Sequence, residues 1–293
     1  MRPEDVKRLR ARMKQRKRRQ LARALPRMRE PSDLAYRSDL LDVARMTQKT
    51  IRDALARWLR ARQDSSEGDE LKALFRRIRL KTSEAVAAVA PGIARRFVRD
   101  TAEANRGAMN AQYARVIKVE PFGSNKGLER AMRTRVRTNV ELITSIPEQL
   151  LDEVEAVVSP AVETGLRVEE ILQQLQERFG VSDSRAQLIA RDQVGKFNGQ
   201  LARERQEALG ISEYVWSTSK DQRVRPDHSE LEGKAFSYDA PPIVDQRTGR
   251  TANPGEDYQC RCQALPRVEA LLDSLGISDS PDLTNDDVVV ADE

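Results

Sequence analysis

The only histidine, His228, and the only two cysteines, Cys260 and Cys262, fall in one stretch of 35 residues near the C-terminal end. Thiolate and imidazole suit zinc. Asp257 stands three residues before Cys260, and Asp221 and Asp227 precede His228. A tetrahedral site of His228, Cys260, Cys262 and one carboxylate, Asp257 in particular, is one reading, with zinc as the candidate cofactor. It would tie a loop to the last strand of a region short of apolar mass. Cys-x-Cys is not the usual Cys-x-x-Cys knuckle, however. In a strand its two sulfurs point to one face, whereas a shared ion wants a tight turn. Other readings stay open. These are two small buried thiols beside a hydrogen-bonded histidine, or a cysteine nucleophile with a histidine base. The second lacks an oxyanion-hole signature and a recognisable orienting partner. A Cys260–Cys262 disulfide would close a very small, strained ring.

The neighbouring run Asp221-Gln222-Arg223-Val224-Arg225-Pro226-Asp227-His228 packs alternating charges into a turn. Arginine forks bind carboxylates two bonds at a time, so a buried Asp–Arg network that fixes the loop is expected. Docking on a partner is the competing role.

These residues need a frame. The composition is 33% charged and 4% aromatic, which suggests elongated helices with much solvated surface. Pro31-Ser32-Asp33 reads as a helix start, and Leu34, Leu41, Met46, Ile51, Leu55, Trp58 and Leu59 define one face of a long amphipathic helix. Trp58 reads as core filling. Gln63 to Gly68 reads as a loop. Helices are expected over Glu70–Ala90, then from Pro91-Gly92 to about Val119. The turn formers of 120–127 suggest an interior boundary. Further helices are expected to about Ser145, from Pro147 to a stop at Gly165, over Val168–Phe179 closed by Gly180, and from Ser182 to Leu209 with Gly210 beyond.

After Gly210 the pattern turns to strands, at Glu213–Thr218, Lys234–Tyr238 and Gln259–Leu265, separated by turn-rich segments. A short helix from Val268 to Leu275 follows. The fold class is mainly α, with a small, loop-rich C-terminal α+β module. The expected divisions are 1–30, 31–120, 121–210, 211–268 and 269–293.

Charge is polarised. Residues 1–30 carry 13 Lys/Arg against 3 Asp/Glu, whereas residues 268–293 carry 8 Asp/Glu and no Lys/Arg. The run Lys14, Arg16, Lys17, Arg18, Arg19 is a footprint for phosphates or for an acidic protein surface. No stretch of 18 apolar residues is present, so no membrane-spanning helix is expected, and no signal-peptide core is seen.

An ordered set of motifs resembles the Mu F-like minor head proteins of tailed bacteriophages. It runs from Arg185-Ala186-Gln187-Leu188-Ile189-Ala190-Arg191-Asp192-Gln193 through Asn198-Gly199 to Tyr214-x-Trp216. Asp221-x-Arg223-Val224-Arg225-Pro226-x-His228 and Leu231-x-Gly233-Lys234-x-Phe236 follow, then Pro241-Pro242, Pro254-Gly255 and Cys260-Arg261-Cys262-x-x-x-Pro266. The likeness is strong over 183–266 and extends back to about 138. Many family members carry a Cys-x-x-His or Cys-x-x-Cys pair after the Asp-x-Arg turn and a His-Pro-x-Cys-x-Cys cluster later. Here Arg225 replaces the first cysteine and Asp257 the upstream histidine, while His228, Cys260 and Cys262 are retained. Trp216, Asp221, Arg223, Arg225, Gly233, Phe236 and Arg261 are the motif residues expected to shape the module.

The resemblance implies a non-enzymatic head morphogenesis protein, a minor capsid component at the head interior or portal vertex. Its expected partners are the portal protein, the viral genomic DNA and a major capsid or scaffold protein. It would be present in host cytoplasm during assembly. The competing classes are a Cys/His or metal-dependent enzyme, and a DNA-binding helical protein unrelated to particles.

Overall fold

The computed structural model describes residues 31–61, 67–117 and 126–267. The basic run Lys14–Arg19, the helix expected at Val268–Leu275 and the acidic tail lie outside these residues. Four long helices come first: α1 (Pro31–Ala61), α2 (Glu67–Ile117), α3 (Lys126–Glu163) and α4 (Val168–Ala208). Cross-helix pairs set their directions. Arg96 of α2 reaches Asp39 of α1, Arg79 of α2 reaches Asp152 and Glu155 of α3, and Arg135 of α3 reaches Gln193 and Gln200 of α4. Successive helices are therefore antiparallel, giving an up-down-up-down bundle.

The last three of these helices are longer than their sequence punctuation predicts, whereas α1 keeps its expected bounds. α2 runs unbroken through Pro91, α3 through Pro147, and α4 through Gly180. An interior proline costs about 3 kcal/mol and an interior glycine about 1 kcal/mol. The buried stripes continue across all three breakers. On α2, Leu71, Phe75, Ile78, Thr82, Val86, Ala90, Ala94 and Phe97 recur at steps of three or four. Each large apolar side chain gains about 1.5–3 kcal/mol on burial, so a continuous stripe outweighs one breaker.

The buried face of α1 also differs from the expected one. It is Tyr36, Leu40, Val43, Thr47, Ile51, Leu55 and Leu59, whereas Leu34 is 63% exposed and Met46 lies on the surface. Tyr36 and Thr47 carry polar atoms yet are buried because those atoms are satisfied. Tyr36 Oη donates to Asn139 Oδ1 at 2.6 Å, and Thr47 Oγ1 donates to the Val43 carbonyl at 2.9 Å. Trp58 is half-buried against the second core.

Two cores are stacked along the bundle, and both draw on all four helices. One surrounds Tyr36, Phe97, Ile143 and Phe197, with the Tyr36 and Phe97 rings stacked at 4.0 Å. The other surrounds Leu55, Phe75, Val154 and Leu175. The turn-rich segment between α2 and α3 thus joins helices that share their cores.

Gly210, at φ 74°, ends α4, and the chain turns into the C-terminal module. Strand β1 (Glu213–Ser217) is central in a three-stranded antiparallel sheet, between β2 (Ala235–Ser237) and β5 (Gln263–Pro266). β1 and β2 fall inside the segments expected from sequence, and β5 covers the end of its segment and runs one residue past it. The short helix α5 (Pro226–Ser229) and a hairpin of β3 (Ile243–Asp245) and β4 (Arg250–Thr251) complete the module. The last strand begins after Cys262, so both cysteines lie in the loop leading into it.

Candidate functional site

Sequence-local geometry builds the site from two sides. On one side, Arg225 precedes α5 in extended conformation, and Pro226 opens the single turn that carries His228 inward. On the other, the 253–262 loop brings in Asp257, Cys260 and Cys262. Gln259 there adopts φ 48°, which turns the chain sharply just before the first cysteine. The Cys-x-Cys pair therefore sits in a loop that follows a turn, and not in a strand. The Cys262 backbone N–H donates to the Cys260 sulfur at 3.4 Å.

The structure brings three of the four expected ligands together. Cys260 Sγ and Cys262 Sγ lie 3.6 and 3.5 Å from His228 Nδ1. The ligand atoms of all three residues fall within 4.8 Å of one another, and all three side chains are buried. Asp257 is elsewhere. Its Oδ2 is 3.1 Å from His228 Nε2, on the opposite edge of the ring from the sulfurs. The expectation of Asp257 as a direct ligand is corrected accordingly. An imidazole holds its two nitrogens on different sides, so a carboxylate on Nε2 cannot share an ion with sulfurs on Nδ1. Asp257 does supply the orienting partner that the sequence did not reveal.

Asp257, itself buried, is the centre of a charge network with two partly exposed arginines. Arg225 Nη1 donates to its Oδ2, and Arg250 Nη2 is 2.8 Å from its Oδ1. The two positions at which the sequence departs from the family pattern, Arg225 and Asp257, thus pair with each other. Arg225 Nη2 also donates to the Tyr258 carbonyl.

The thiols and the imidazole perturb one another. Hydrogen bonding from Cys262 pulls Cys260 down to about 5, against the opposing effect of burial and with help from His228 and the Cys262 and Gly255 N–H groups. Cys262, which supplies that hydrogen bond and is buried, is pushed up. Burial opposes protonation of His228, but the hydrogen bond and charge of Cys260 outweigh it, so its pKa is raised. Trp216 stands edge-on to His228, with centroids 5.6 Å apart. Its buried indole N–H makes no hydrogen bond among the described residues.

The remaining motif residues shape the module. Asp221 receives both Nη groups of Arg261, and its Oδ1 accepts the Arg223 N–H at 3.0 Å. That carboxylate is exposed, unlike the buried network expected there, and Arg223 contributes its backbone to the turn. Gly233, at φ 77°, donates its N–H to the Trp216 carbonyl at 2.9 Å. Phe236 packs against Tyr214 and Trp216.

Sequence reasoning missed several residues that hold the site in place. Arg250 pairs with Asp257. Asn253 accepts the Tyr214 hydroxyl at 3.0 Å and donates to the Tyr238 carbonyl at 3.2 Å. Gln206 of α4 donates to the Ala264 carbonyl at 3.1 Å and accepts the Tyr238 hydroxyl at 3.0 Å, tying the module to the bundle. Asn253 falls in a stretch legible from sequence only as a turn.

Residues 152–265 match the family described as Phage Mu protein F like protein, which bears out the resemblance read from sequence. The match starts within α3 and includes α4 and the module to β5. An uncharacterized protein of Haemophilus influenzae is 38% identical over 131 residues, 45% of this chain and 28% of that protein. An uncharacterized protein of Methanocaldococcus jannaschii is 32% identical over 127 residues, 43% of this chain and 18% of that protein. The aligned region is thus under a third of either relative's length. No solved structure matches the chain significantly.

Proposed function

We propose, from the match of residues 152–265 to the Mu F-like family, that this chain is a head morphogenesis protein of a tailed bacteriophage. The match includes the whole module that carries the His–Cys cluster and the helix on which it docks. In the finer reading it is a non-enzymatic minor component of the head interior or portal vertex. It acts in head assembly and in genome packaging or delivery. The portal protein, genomic DNA and a capsid or scaffold protein are its partners. No described helix is long and apolar enough to cross a membrane.

The charge layout supports a polyanionic partner. Lys126, Arg130, Arg133 and Arg137 are exposed and spaced four, three and four residues apart on α3. That spacing lines them up on one face over about 16 Å. A cation in a first turn opposes the helix dipole, so folding alone does not favour Lys126 there. From 138 to its end, α3 carries Glu141, Glu148, Asp152, Glu153, Glu155 and Glu163 and no Lys or Arg. The chain enters α1 from the basic residues 1–30 at the same end of the bundle.

The enzyme reading gains one observation, the sequence of Cys260, His228 and Asp257 as nucleophile, base and orienter. It is weakened by burial, because Cys260 and Cys262 are only 4% and 6% exposed and His228 2%. An independent DNA-binding region over 1–120 is disfavoured because both cores need all four helices.

The test is to isolate procapsids and mature particles from infected cells and detect this chain by mass spectrometry. It should be present in few copies per particle, and absence from both overturns the reading. For the DNA contact, deleting residues 1–30 or reversing Arg130, Arg133 and Arg137 should weaken binding and flatten its dependence on salt. Unchanged binding in both removes DNA as a partner.

A further inference from the structure

We infer that His228 Nδ1, Cys260 Sγ and Cys262 Sγ hold a zinc ion that clasps the α5 turn to the loop entering β5. The first support is distance. Tetrahedral zinc with sulfur at about 2.3 Å and nitrogen at about 2.0–2.1 Å places sulfur and nitrogen about 3.5 Å apart. The structure has 3.5 and 3.6 Å. One ring nitrogen directed equally at two sulfurs is poorly used by a hydrogen bond, which serves one partner well. A shared ion serves both. A nucleophile–base pair would need only one of the thiols.

The second support is the tautomer. Asp257 as a carboxylate only accepts, so the hydrogen bond at His228 Nε2 places the ring proton there. Nδ1 is therefore the nitrogen that faces the sulfurs, and its lone pair is the one an ion would take. Arg225 and Arg250 hold Asp257 from outside, which fixes the ring in turn.

The third is charge. Zinc binding releases the two thiol protons to solvent, and two thiolates with one Zn²⁺ are neutral overall. Neutrality suits a buried site. One N–H already aims at a sulfur: Cys262 donates its backbone N–H to Cys260 Sγ at 3.4 Å. Three protein ligands leave the fourth position to a water molecule or another exogenous donor.

The experiment uses the full chain. It is purified without chelator, and its metal content is measured by elemental analysis before and after dialysis against a chelator and re-addition of zinc chloride. About one zinc per chain is expected, with a melting temperature that falls on chelation and recovers with zinc. His228→Ala should lose the metal. His228→Cys, which replaces nitrogen by another soft ligand, should keep it. Asp257→Asn should weaken zinc binding by about 10–100-fold as a positioning residue. If the wild-type chain holds no zinc after re-addition and its melting temperature is unmoved, the inference is overturned. Should His228→Ala fail to fold, the wild-type and His228→Cys measurements still decide.

Discussion

Gly199 of α4 and Gly255 of the C-terminal module meet backbone to backbone. A Cβ on Gly199 would lie 2.7 Å from the Pro254 carbonyl oxygen and 3.4 Å from Gly255 Cα. A Cβ on Gly255 would lie 3.1 Å from the Gly195 carbonyl oxygen, and this residue adopts φ 88°. The loop that carries Asp257 and both cysteines is therefore seated directly on the bundle. Its position depends on two absent side chains.

Gly199→Ala is expected to cost about 1–3 kcal/mol, because backbone must move to admit the methyl group. Gly255→Ala adds a left-handed conformation, worth about 1–2 kcal/mol more. Gly180→Ala is the control: it has open space in the same helix and should stabilise by up to about 1 kcal/mol. Thermal or denaturant unfolding of the three variants reads out the order.

Asp257→Asn should destabilise the module by about 3 kcal/mol, the low end for breaking a buried ion pair. The Asp257 side chain is 1% exposed, while Arg225 and Arg250 are 39% and 37% exposed and can regain water. The check is chemical denaturation, with limited proteolysis showing whether residues 211–267 open first.

Arg205 is buried between α4 and α2 without a carboxylate partner among the described residues. Its guanidinium donates to Asn105 Oδ1 and, at 3.0 Å, to the Ala102 carbonyl. Burial, and then the Arg106 charge, lower its pKa to about 10. Arg205→Ala should cost about 2–4 kcal/mol through a cavity and two orphaned acceptors. Arg205→Met should cost less, since it fills the space without a buried charge. Comparing the two unfolding midpoints separates packing from hydrogen bonding.

The Asp221–Arg261 pair predicts an acid-dependent tie. The Arg261 hydrogen bond, against slight desolvation, pulls Asp221 from its ordinary 3.8 to about 2. A depressed carboxyl contributes stability above its unfolded value and loses it as pH falls through the folded one. The difference in melting temperature between wild type and Asp221→Asn should therefore be constant near neutrality. It should shrink as pH falls below about 4 and vanish only once pH is below about 2. A difference that persists below that range excludes Asp221 as its source.

Much of this protein was legible in its residues. The confinement of His228, Cys260 and Cys262 to one stretch located the site, and alternating β-formers located β1, β2 and β5. The turn formers mislocated the helix ends because Pro91, Pro147 and Gly180 are local signals. Continuation of each helix depends on partners far along the chain. Leu34 and Met46 misled for a related reason: burial on α1 went to Tyr36 and Thr47, whose polar atoms are satisfied by Asn139 and the Val43 carbonyl.

The amino-acid sequence alone determined the element types, the polarised charge, the family resemblance and the three soft side chains, since these follow from composition and short-range period. Tertiary structure alone decided that Asp257 faces Nε2 and the sulfurs face Nδ1. It also placed Arg250 beside Arg225 and seated the cysteine loop on Gly199. Those relationships join residues tens of positions apart, and their geometry exists only once the chain has packed.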